Sequence, residues 1–353
     1  MANKPRCTDC KDPKCGECVK ITGSRTSRRQ FLKGAICSGL ALSSVGALVS
    51  GCASAASEPE DETQAPIEAA PKPTPIAIEE GSWTPPASHA GSLPTGTGSV
   101  EIKGIGTFSF EADQVKTLRP DIFQPGHLSL FDVVAHLGER GDIALETHFD
   151  KELDTHVIDA INGESGWWYQ AHYSAGWWEN NVFRMDMYPY KDETQVQVHS
   201  EHEDRLASIY RTFEEEVARL EEHGGQIIIP ELGIRAPGSN HVFQDMVVRP
   251  HNVRSDVLQP GVATALDALI SLTEEGQLSS LELTWYERIA RADPVDSYWV
   301  ERVDEAQASG GCGFVYETGP RAFSGFSGSH IHIPSDVRVT VSPEYALWFW
   351  ICL

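Results

Sequence analysis

Four cysteines near the N-terminus have the spacing of a metal site. They form two Cys-x2-Cys pairs and are Cys7, Cys10, Cys15 and Cys18. Four thiolates in this arrangement bind a tetrahedral zinc ion or an iron–sulfur cluster, and free thiols are the remaining alternative. The pairs precede the stretch TSRRQFLK at 26–33, which indicates a twin-arginine export signal that is removed on maturation. We therefore expect such a metal to serve the precursor only.

An aromatic segment in the middle of the chain has the composition of a binding surface. Its members are Trp167, Trp168, Tyr169, Tyr173, Trp177 and Trp178. One or two such rings in a strand are ordinary core residues, but four tryptophans within twelve residues exceed what one face of a sheet can bury. Exposed aromatic rings bind flat ligands, glycans or partner proteins. We therefore expect a ligand-binding or partner-binding site in this segment.

Histidines supply two weaker candidates for metal ligands. His330 and His332 would point to one side of a strand, and His199 closely precedes His202 and Asp204. Two imidazoles without a fixed third ligand are more often surface residues. The sequence contains no GxSxG, HExxH, Walker or Rossmann pattern, so we predict a protein that is not an enzyme.

The N-terminal region predicts export and lipid anchoring. The stretch TSRRQFLK at 26–33 is a twin-arginine export motif, and a run of small apolar residues follows it up to Gly51. The end of this run, VSGC, resembles the lipobox of bacterial lipoproteins, which implies cleavage before Cys52 and a lipid on its sulfur. An uncleaved membrane anchor is the alternative. Either way, we expect the twin-arginine translocation machinery to place the body of the chain on the extracytoplasmic face of a membrane.

The charge distribution of the chain excludes one class of partner. The formal net charge is −23, although residues 1–51 carry nine lysines and arginines against three acidic residues. The rest of the chain is therefore strongly acidic. Such a body repels nucleic acid and anionic lipid headgroups and suits cations or basic partners. We expect no nucleic-acid partner.

Two cysteines remain outside the cytoplasm once Cys52 is lipidated. Cys312 directly precedes a predicted strand, and Cys352 ends the last predicted strand of the same sheet. Exported thiols tend to be oxidised. We predict a disulfide between them, with two free thiols as the alternative.

One stretch of sequence is used twice and organises the elements around these residues. FQPGHLSLFD at 123–132 reappears 135 residues later as LQPGVATALD at 258–267. In each copy a Gln-Pro-Gly turn leads to an N-cap, Ser129 or Thr264, with an aspartate three residues on as its capping-box partner. Apolar residues then follow at helical spacing. A match of this length at a fixed offset predicts an internal duplication.

The duplication and the composition divide the chain into five parts. These are the signal with its cysteines (1–51), a proline-rich disordered linker carrying the lipid (52–97), a first repeat (98–199), a connecting amphipathic helix (200–224) and a second repeat (225–353). Apolar patterns predict strands through both repeats, including 182–188 and 337–341, the latter matched to 194–198.

The first repeat has an order of features that is known from one family. A hairpin and a short capped helix are followed by Ile161-Asn-Gly163 and, soon after, by Trp168-Tyr169. This arrangement, over about 100 residues, resembles the transcobalamin C-terminal-like domain, a small β-grasp family of exported proteins. In transcobalamins the corresponding domain covers one face of a corrinoid, so the resemblance implies a binding role. The family continues into a second Asn-Gly turn, where this chain has Gln170-Ala-His172 and an inserted aromatic loop.

These features predict an α+β protein of two β-grasp-like domains from an internal duplication, joined by an amphipathic helix. We expect an exported, lipid-anchored protein that binds a ligand or partner through the aromatic loop. The resemblance implies a corrinoid or another tetrapyrrole as one ligand class. The alternative is a structural or adhesive surface protein that binds proteins or glycans without a small-molecule ligand.

Overall fold

The computed structural model of the chain describes residues 76–78, 89, 91–172, 179–180, 182–288, 294–325 and 333–352. Within these ranges the protein has three α-helices: α1 (Leu130–Arg140), α2 (Glu203–Glu222) and α3 (Ala265–Glu274). None of the helices in this part of the chain is long and apolar enough to cross a membrane. Together with several small sheets, these helices confirm the predicted α+β class.

One five-stranded sheet and one strand pair form the first half of the body, residues 97–200. The strands are β2 (Thr97–Ile102), β3 (Gly106–Glu111), β4 (Leu145–Asp150), β5 (Thr155–Ile161), β6 (Trp167–His172), β7 (Glu179–Asn180) and β8 (Gln195–Ser200). The sheet has the order β3-β2-β8-β6-β7, while β4 and β5 pair separately. Strand β2 is parallel to β8, and the other neighbours in the sheet are antiparallel.

The second half, residues 227–352, has a sheet of similar order. Its strands are β9 (Ile227–Ala236), β10 (Ser239–Val248), β11 (Leu281–Arg288), β12 (Pro294–Val303), β13 (Ala306–Gln307), β14 (Cys312–Gly319) and β15 (Tyr345–Cys352). The main sheet is ordered β10-β9-β15-β14, with β9 parallel to β15. In both halves, therefore, a hairpin pairs through its first strand with the parallel closing strand of that half.

One short piece of the predicted linker belongs to the second half. Strand β1 (Ile76–Ile78) pairs antiparallel with β11 and extends the sheet formed by β11, β12 and β13. Farther along, the backbone N–H of Gly91 donates to Asp256 at 2.7 Å, and that of Gly96 donates to Asp192 at 3.0 Å. The prediction that 52–97 is disordered throughout is wrong for these residues, because paired backbone groups hold them to both halves.

The predicted capping boxes at α1 and α3 are confirmed. The N–H of Ser129 donates to Asp132 at 2.7 Å, and the N–H of Thr264 donates to Asp267 at 2.6 Å. Helix α1 ends at Gly141, which adopts a positive φ of 78° that a glycine accepts without strain. Helices α1 and α3 therefore begin at their predicted N-caps, and α1 ends at its predicted glycine.

Helix α2 carries its apolar face against the first half. Leu206, Ile209 and Phe213 are buried in the same core as the strands of that half. The guanidinium of Arg219 donates to the carbonyl of Ser342, which lies in the second half. The predicted amphipathic helix is confirmed, and it touches both halves.

The strands predicted at 182–188 and 337–341 are wrong. A short 3-10 turn, Met185–Met187, lies in the first of these segments. In the second, Val339 forms only an isolated bridge with Thr264. Both segments are buried, so their apolar residues cover the core without pairing in a sheet. The counterpart of β8 is β15, and the match of 337–341 to 194–198 is therefore also wrong.

The two Gln-Pro-Gly turns meet and bind each other reciprocally. The side-chain amide of Gln124 donates to the carbonyl of Leu258 at 3.1 Å, and that of Gln259 donates to the carbonyl of Phe123 at 3.0 Å. Their backbone N–H groups also donate across the contact, at 2.9 and 2.8 Å. The repeated stretch thus forms one contact between the halves and also leads into a helix in each.

Candidate binding site

Half of the aromatic segment is part of the core. Trp167, Trp168 and Tyr169 lie in β6, and each is less than a tenth exposed. The Trp167 indole donates to the carbonyl of Glu164 at 2.6 Å, and the Tyr169 hydroxyl donates to that of Phe183 at 2.7 Å. The prediction of an exposed binding platform is wrong for these three residues, because the helix and sheet of the first half cover their rings.

The other half of the segment connects β6 to β7. Tyr173, Trp177 and Trp178 lie outside the described residues. The two strands on either side pair antiparallel, with Gln170 opposite Asn180. The connection therefore starts and ends in a sheet whose neighbouring rings are fixed in the core. The binding role of these three aromatic residues stays a prediction.

A small cavity lies against the buried rings. Its lining residues are Phe131, Thr155, His156, Ile158, Trp167, Trp168, Tyr169, Met185, Tyr210 and Phe213. Its volume is about 20 Å³, which is the order of size that admits one or two water molecules. A corrinoid or another flat organic ligand has no room there.

A network of charged side chains lies at the polar end of this cavity. The Nδ1 atom of His156 is 3.0 Å from Asp186, and Arg119 is 3.0 Å from the same carboxylate. Burial raises the pKa of Asp186, but hydrogen bonds from His156 and Thr155 and the charge of Arg119 outweigh burial and lower this pKa. Arg119 also pairs with Asp154 at 3.1 Å. The network therefore holds an ionised carboxylate in the core.

The His156–Asp186 pair is held in place by its neighbours. The nearest hydroxyl in the network, that of Thr155, already donates to Asp186 at 2.6 Å. The His156 ring stacks on Phe131 with centroids 5.0 Å apart. These contacts fix the orientation of the imidazole, so the arrangement serves the packing of the first half.

The second half contains a matching network that lacks the histidine. Arg254 is 3.0 Å from Asp336 and 2.9 Å from Asp256. The backbone N–H of Tyr298 donates to Asp336 at 2.9 Å, as that of His156 does to Asp186. Within the described ranges one oxygen of Asp336 has no hydrogen-bond partner. Burial outweighs the pairing with Arg254 and raises the pKa of this carboxylate. In both networks a buried arginine pairs with a buried aspartate that also accepts from a backbone N–H. The networks differ in the number of hydrogen bonds that the aspartate accepts.

The stability of the protein is expected to fall as the pH rises through the pKa of His251. This imidazole lies between Asp267 and Glu274, each at 3.0 Å. Burial opposes protonation, but the two carboxylates outweigh it and raise the pKa of His251 in the folded state. The resulting stabilisation is complete below the unfolded-state pKa of about 6.5 and is lost as the pH rises through the higher folded-state pKa. Urea unfolding across this range measures the effect.

The replacement His251→Gln is expected to flatten this pH dependence. The matched control is His148→Gln, since the pKa of His148 is also raised, by Asp159, but its side chain is half exposed. Solvent screens that pair, so the control is expected to keep most of the wild-type dependence. Equal slopes for wild type and His251→Gln would contradict the prediction.

Metal ligands do not converge in the part of the chain that the structure describes. No group of three or more His, Cys, Asp or Glu side chains there is arranged to hold a metal ion. The loose candidate at His199 and His202 is therefore not supported, and His199 lies beside Glu201 instead. His330 and His332 lie outside the described residues. So do Cys7, Cys10, Cys15, Cys18 and the lipidation residue Cys52.

The last two cysteines are joined by a disulfide. Cys312 and Cys352 lie directly opposite each other on β14 and β15, with Cα atoms 4.0 Å apart. The bond links the first residue of one strand to the last residue of its neighbour. It therefore ties the end of the chain to the second sheet.

The paired Arg–Asp networks were not predicted, although the sequence contains a signal for them. Arg119 and Asp121 recur as Arg254 and Asp256 at the same 135-residue offset as the Gln-Pro-Gly turn. An Arg-x-Asp motif that recurs at this offset indicates a similar structural pair in each half. The aspartates that complete each network come from distant elements, and no local spacing connects them to the arginines.

The described residues define a mixed α+β protein with two similarly ordered sheets and a buried charge network in each half. No family model, curated protein or solved structure matches the chain.

Proposed function

We propose that this chain is an exported, lipid-anchored protein that binds a ligand or partner through the aromatic connection between β6 and β7, without catalysing a reaction. Residues 1–51 direct twin-arginine export and are removed, and Cys52 carries the lipid. The zinc ion or iron–sulfur cluster of the first four cysteines belongs to the precursor. The body lies on the extracytoplasmic face of the membrane.

The observation that supports the binding proposal is that the aromatic segment has two parts, a buried strand and the connection that follows it. Trp167, Trp168 and Tyr169 are buried and hydrogen-bonded in β6, so they anchor the strand. The other two tryptophans of the segment, Trp177 and Trp178, belong to the connection between β6 and β7. Strand β7 is only two residues long and pairs with the end of β6. A rigid strand that leads into a run of aromatic residues is a suitable base for a recognition loop.

The same proposal includes an internal duplication of a β-grasp-like domain. Three features support it: the 135-residue repeat, the parallel closing strand in each sheet, and the matched networks around Arg119 and Arg254. The disulfide supports export, because such bonds persist in oxidising compartments.

The size of the internal cavity bears on the class of ligand. At about 20 Å³, the cavity beside the buried rings is too small to enclose a corrinoid. A tetrapyrrole would therefore have to bind at the surface, against the aromatic connection. The same observation favours the second candidate, a surface protein that binds proteins or glycans with no small-molecule ligand.

Spectroscopy and binding measurements on the full-length protein purified from its own membranes test the proposal. A visible absorption band, or heat released on titration with hydroxocobalamin, would support a tetrapyrrole ligand. Retention on isolated cell-surface polysaccharide or on whole cells by a colourless protein would support the second candidate. In either case the double variant Trp177→Ala/Trp178→Ala is expected to lose at least tenfold in affinity, since two aromatic contacts are removed.

The matched control is Phe149→Ala, which removes an exposed ring of the first half outside the aromatic segment. It is expected to bind as the wild type does. Unchanged binding by the double tryptophan variant would refute the proposed role of the connection. An intact mass that still includes residues 1–51 in the membrane-extracted protein would refute the proposed processing.

A further inference from the structure

Arg338 is a buried arginine at the contact between the two halves. Arg338 is 4% exposed, and its guanidinium carbon lies 3.5 Å from the ring centroid of Phe183 in the first half. The N–H of Ala265, at the start of α3, donates to the Arg338 carbonyl at 2.9 Å and fixes the backbone. The Phe183 ring covers one face of the guanidinium. The N–H groups at the edge of the guanidinium therefore need hydrogen-bond acceptors from other residues.

The hydrogen-bond donors of Arg338 are poorly satisfied. Its two terminal nitrogens donate to the carbonyls of Val339 and Thr318 at 3.4 Å, whereas charged hydrogen bonds are usually about 2.8 Å long. The Nε atom is buried and has no hydrogen-bond partner among the residues that the structure describes. Among the described residues, no carboxylate lies within ion-pair distance of Arg338. Arg119 and Arg254, by contrast, each bind at least two carboxylates.

A small cavity adjoins this guanidinium. Its volume is about 10 Å³, which is the order of size that admits one water molecule or one monatomic ion. Arg184, Glu216 and Arg338 all line it. Arg184 is paired with Glu216 at 2.5 Å. One carboxylate therefore faces two guanidinium groups, which leaves one positive charge in excess.

Among the described residues at this cavity, the excess positive charge has no counter-charge of its own. Burial lowers the pKa of Arg338, but a guanidinium stays protonated in proteins. A buried charge without a counter-charge is costly, and a buried donor without a partner often marks a bound water or ion. A water molecule would accept from Nε without offsetting the charge. A halide ion would do both.

We propose that this cavity is an anion site in which Arg338 binds one monatomic anion, chloride under physiological conditions. Sulfate and phosphate are too large for the space. Because Arg338 belongs to the second half and Phe183 to the first, the bound ion stabilises the contact between the halves.

The dependence of thermal stability on the anion tests this site in the full-length protein. The Tm is expected to be about 3 °C higher in sodium chloride than in sodium gluconate at equal ionic strength, because chloride binds only the folded state. The variant Arg338→Met is expected to lose this difference. The control Arg321→Met removes an arginine that is 44% exposed and is expected to keep it. An equal difference in wild type and Arg338→Met would overturn the proposal.

Bromide provides a direct test that does not depend on the folding of a variant. Crystals of the wild-type protein grown in sodium bromide are expected to show an anomalous scattering peak in the cavity beside the Arg338 guanidinium. Ordinary water density at that position, without an anomalous peak, would overturn the proposal even if Arg338→Met failed to fold.

Discussion

Replacement of Asp186 with Asn is expected to lower the free energy of unfolding by about 3–5 kcal/mol. The side chain of Asp186 is fully buried and lies 3.0 Å from Arg119, which is itself 5% exposed. The neutral amide would leave Arg119 with less compensating charge in the core. Its NH2 group would also place N–H donors at one of the two oxygen positions that now accept, from Thr155 at one and from His156 at the other. Urea unfolding at neutral pH measures the change.

The matched control for this replacement is Asp121→Asn. Asp121 binds the same arginine at 2.8 Å, but its side chain is 61% exposed. Water already screens that pair, so the expected loss is about 0–1 kcal/mol. A loss for Asp186→Asn no larger than that for Asp121→Asn would show that the buried carboxylate does not stabilise the fold.

Removal of the disulfide is expected to cost about 3–4 kcal/mol of folding free energy. The bond between Cys312 and Cys352 closes a loop across a sequence separation of 40 and restricts the unfolded chain. The double replacement Cys312→Ser/Cys352→Ser removes this restriction while keeping residues of similar size. Unfolding in urea, with and without a reducing agent, measures the loss.

The double serine variant also serves as the control for effects of the reducing agent other than cleavage of the disulfide. Its stability is expected to be the same with and without reductant, whereas the wild type loses stability when reduced. If reduction left the wild type unchanged, or if both thiols were alkylated in native unreduced protein, the expectation would be wrong.

Features that depend on local sequence were predictable in this chain. The capping boxes at Ser129 and Thr264 were found because each N-cap and its aspartate are three residues apart. The adjacent residues Asn162 and Gly163, a dipeptide typical of tight turns, both have positive φ. In each case the hydrogen bonds or backbone angles concern neighbours in the chain, so the residue types suffice.

Features that depend on tertiary contacts were not predictable in the same way. Val337, Val339 and Val341 alternate as in a strand, yet they cover the core as an unpaired segment. An alternation of apolar and polar residues indicates that one side of the segment is buried. It does not indicate whether a neighbouring strand is available for pairing. Likewise, Asp154 and Asp186 reach Arg119 from separate elements, and only the fold brings these charges together.

The crossed contacts of Gln124 and Gln259 have the form of an isologous interface, in which the same residue on each side donates to the other. Two identical subunits would meet about a twofold axis in this way. Here the chain runs from one half to the other through α2, so the pairing is intramolecular and does not depend on protein concentration. A symmetric homodimer must carry every substitution twice. In this single chain the backbone N–H that donates to the buried aspartate belongs to His156 in one half and to Tyr298 in the other, so a substitution in one half leaves the other unchanged.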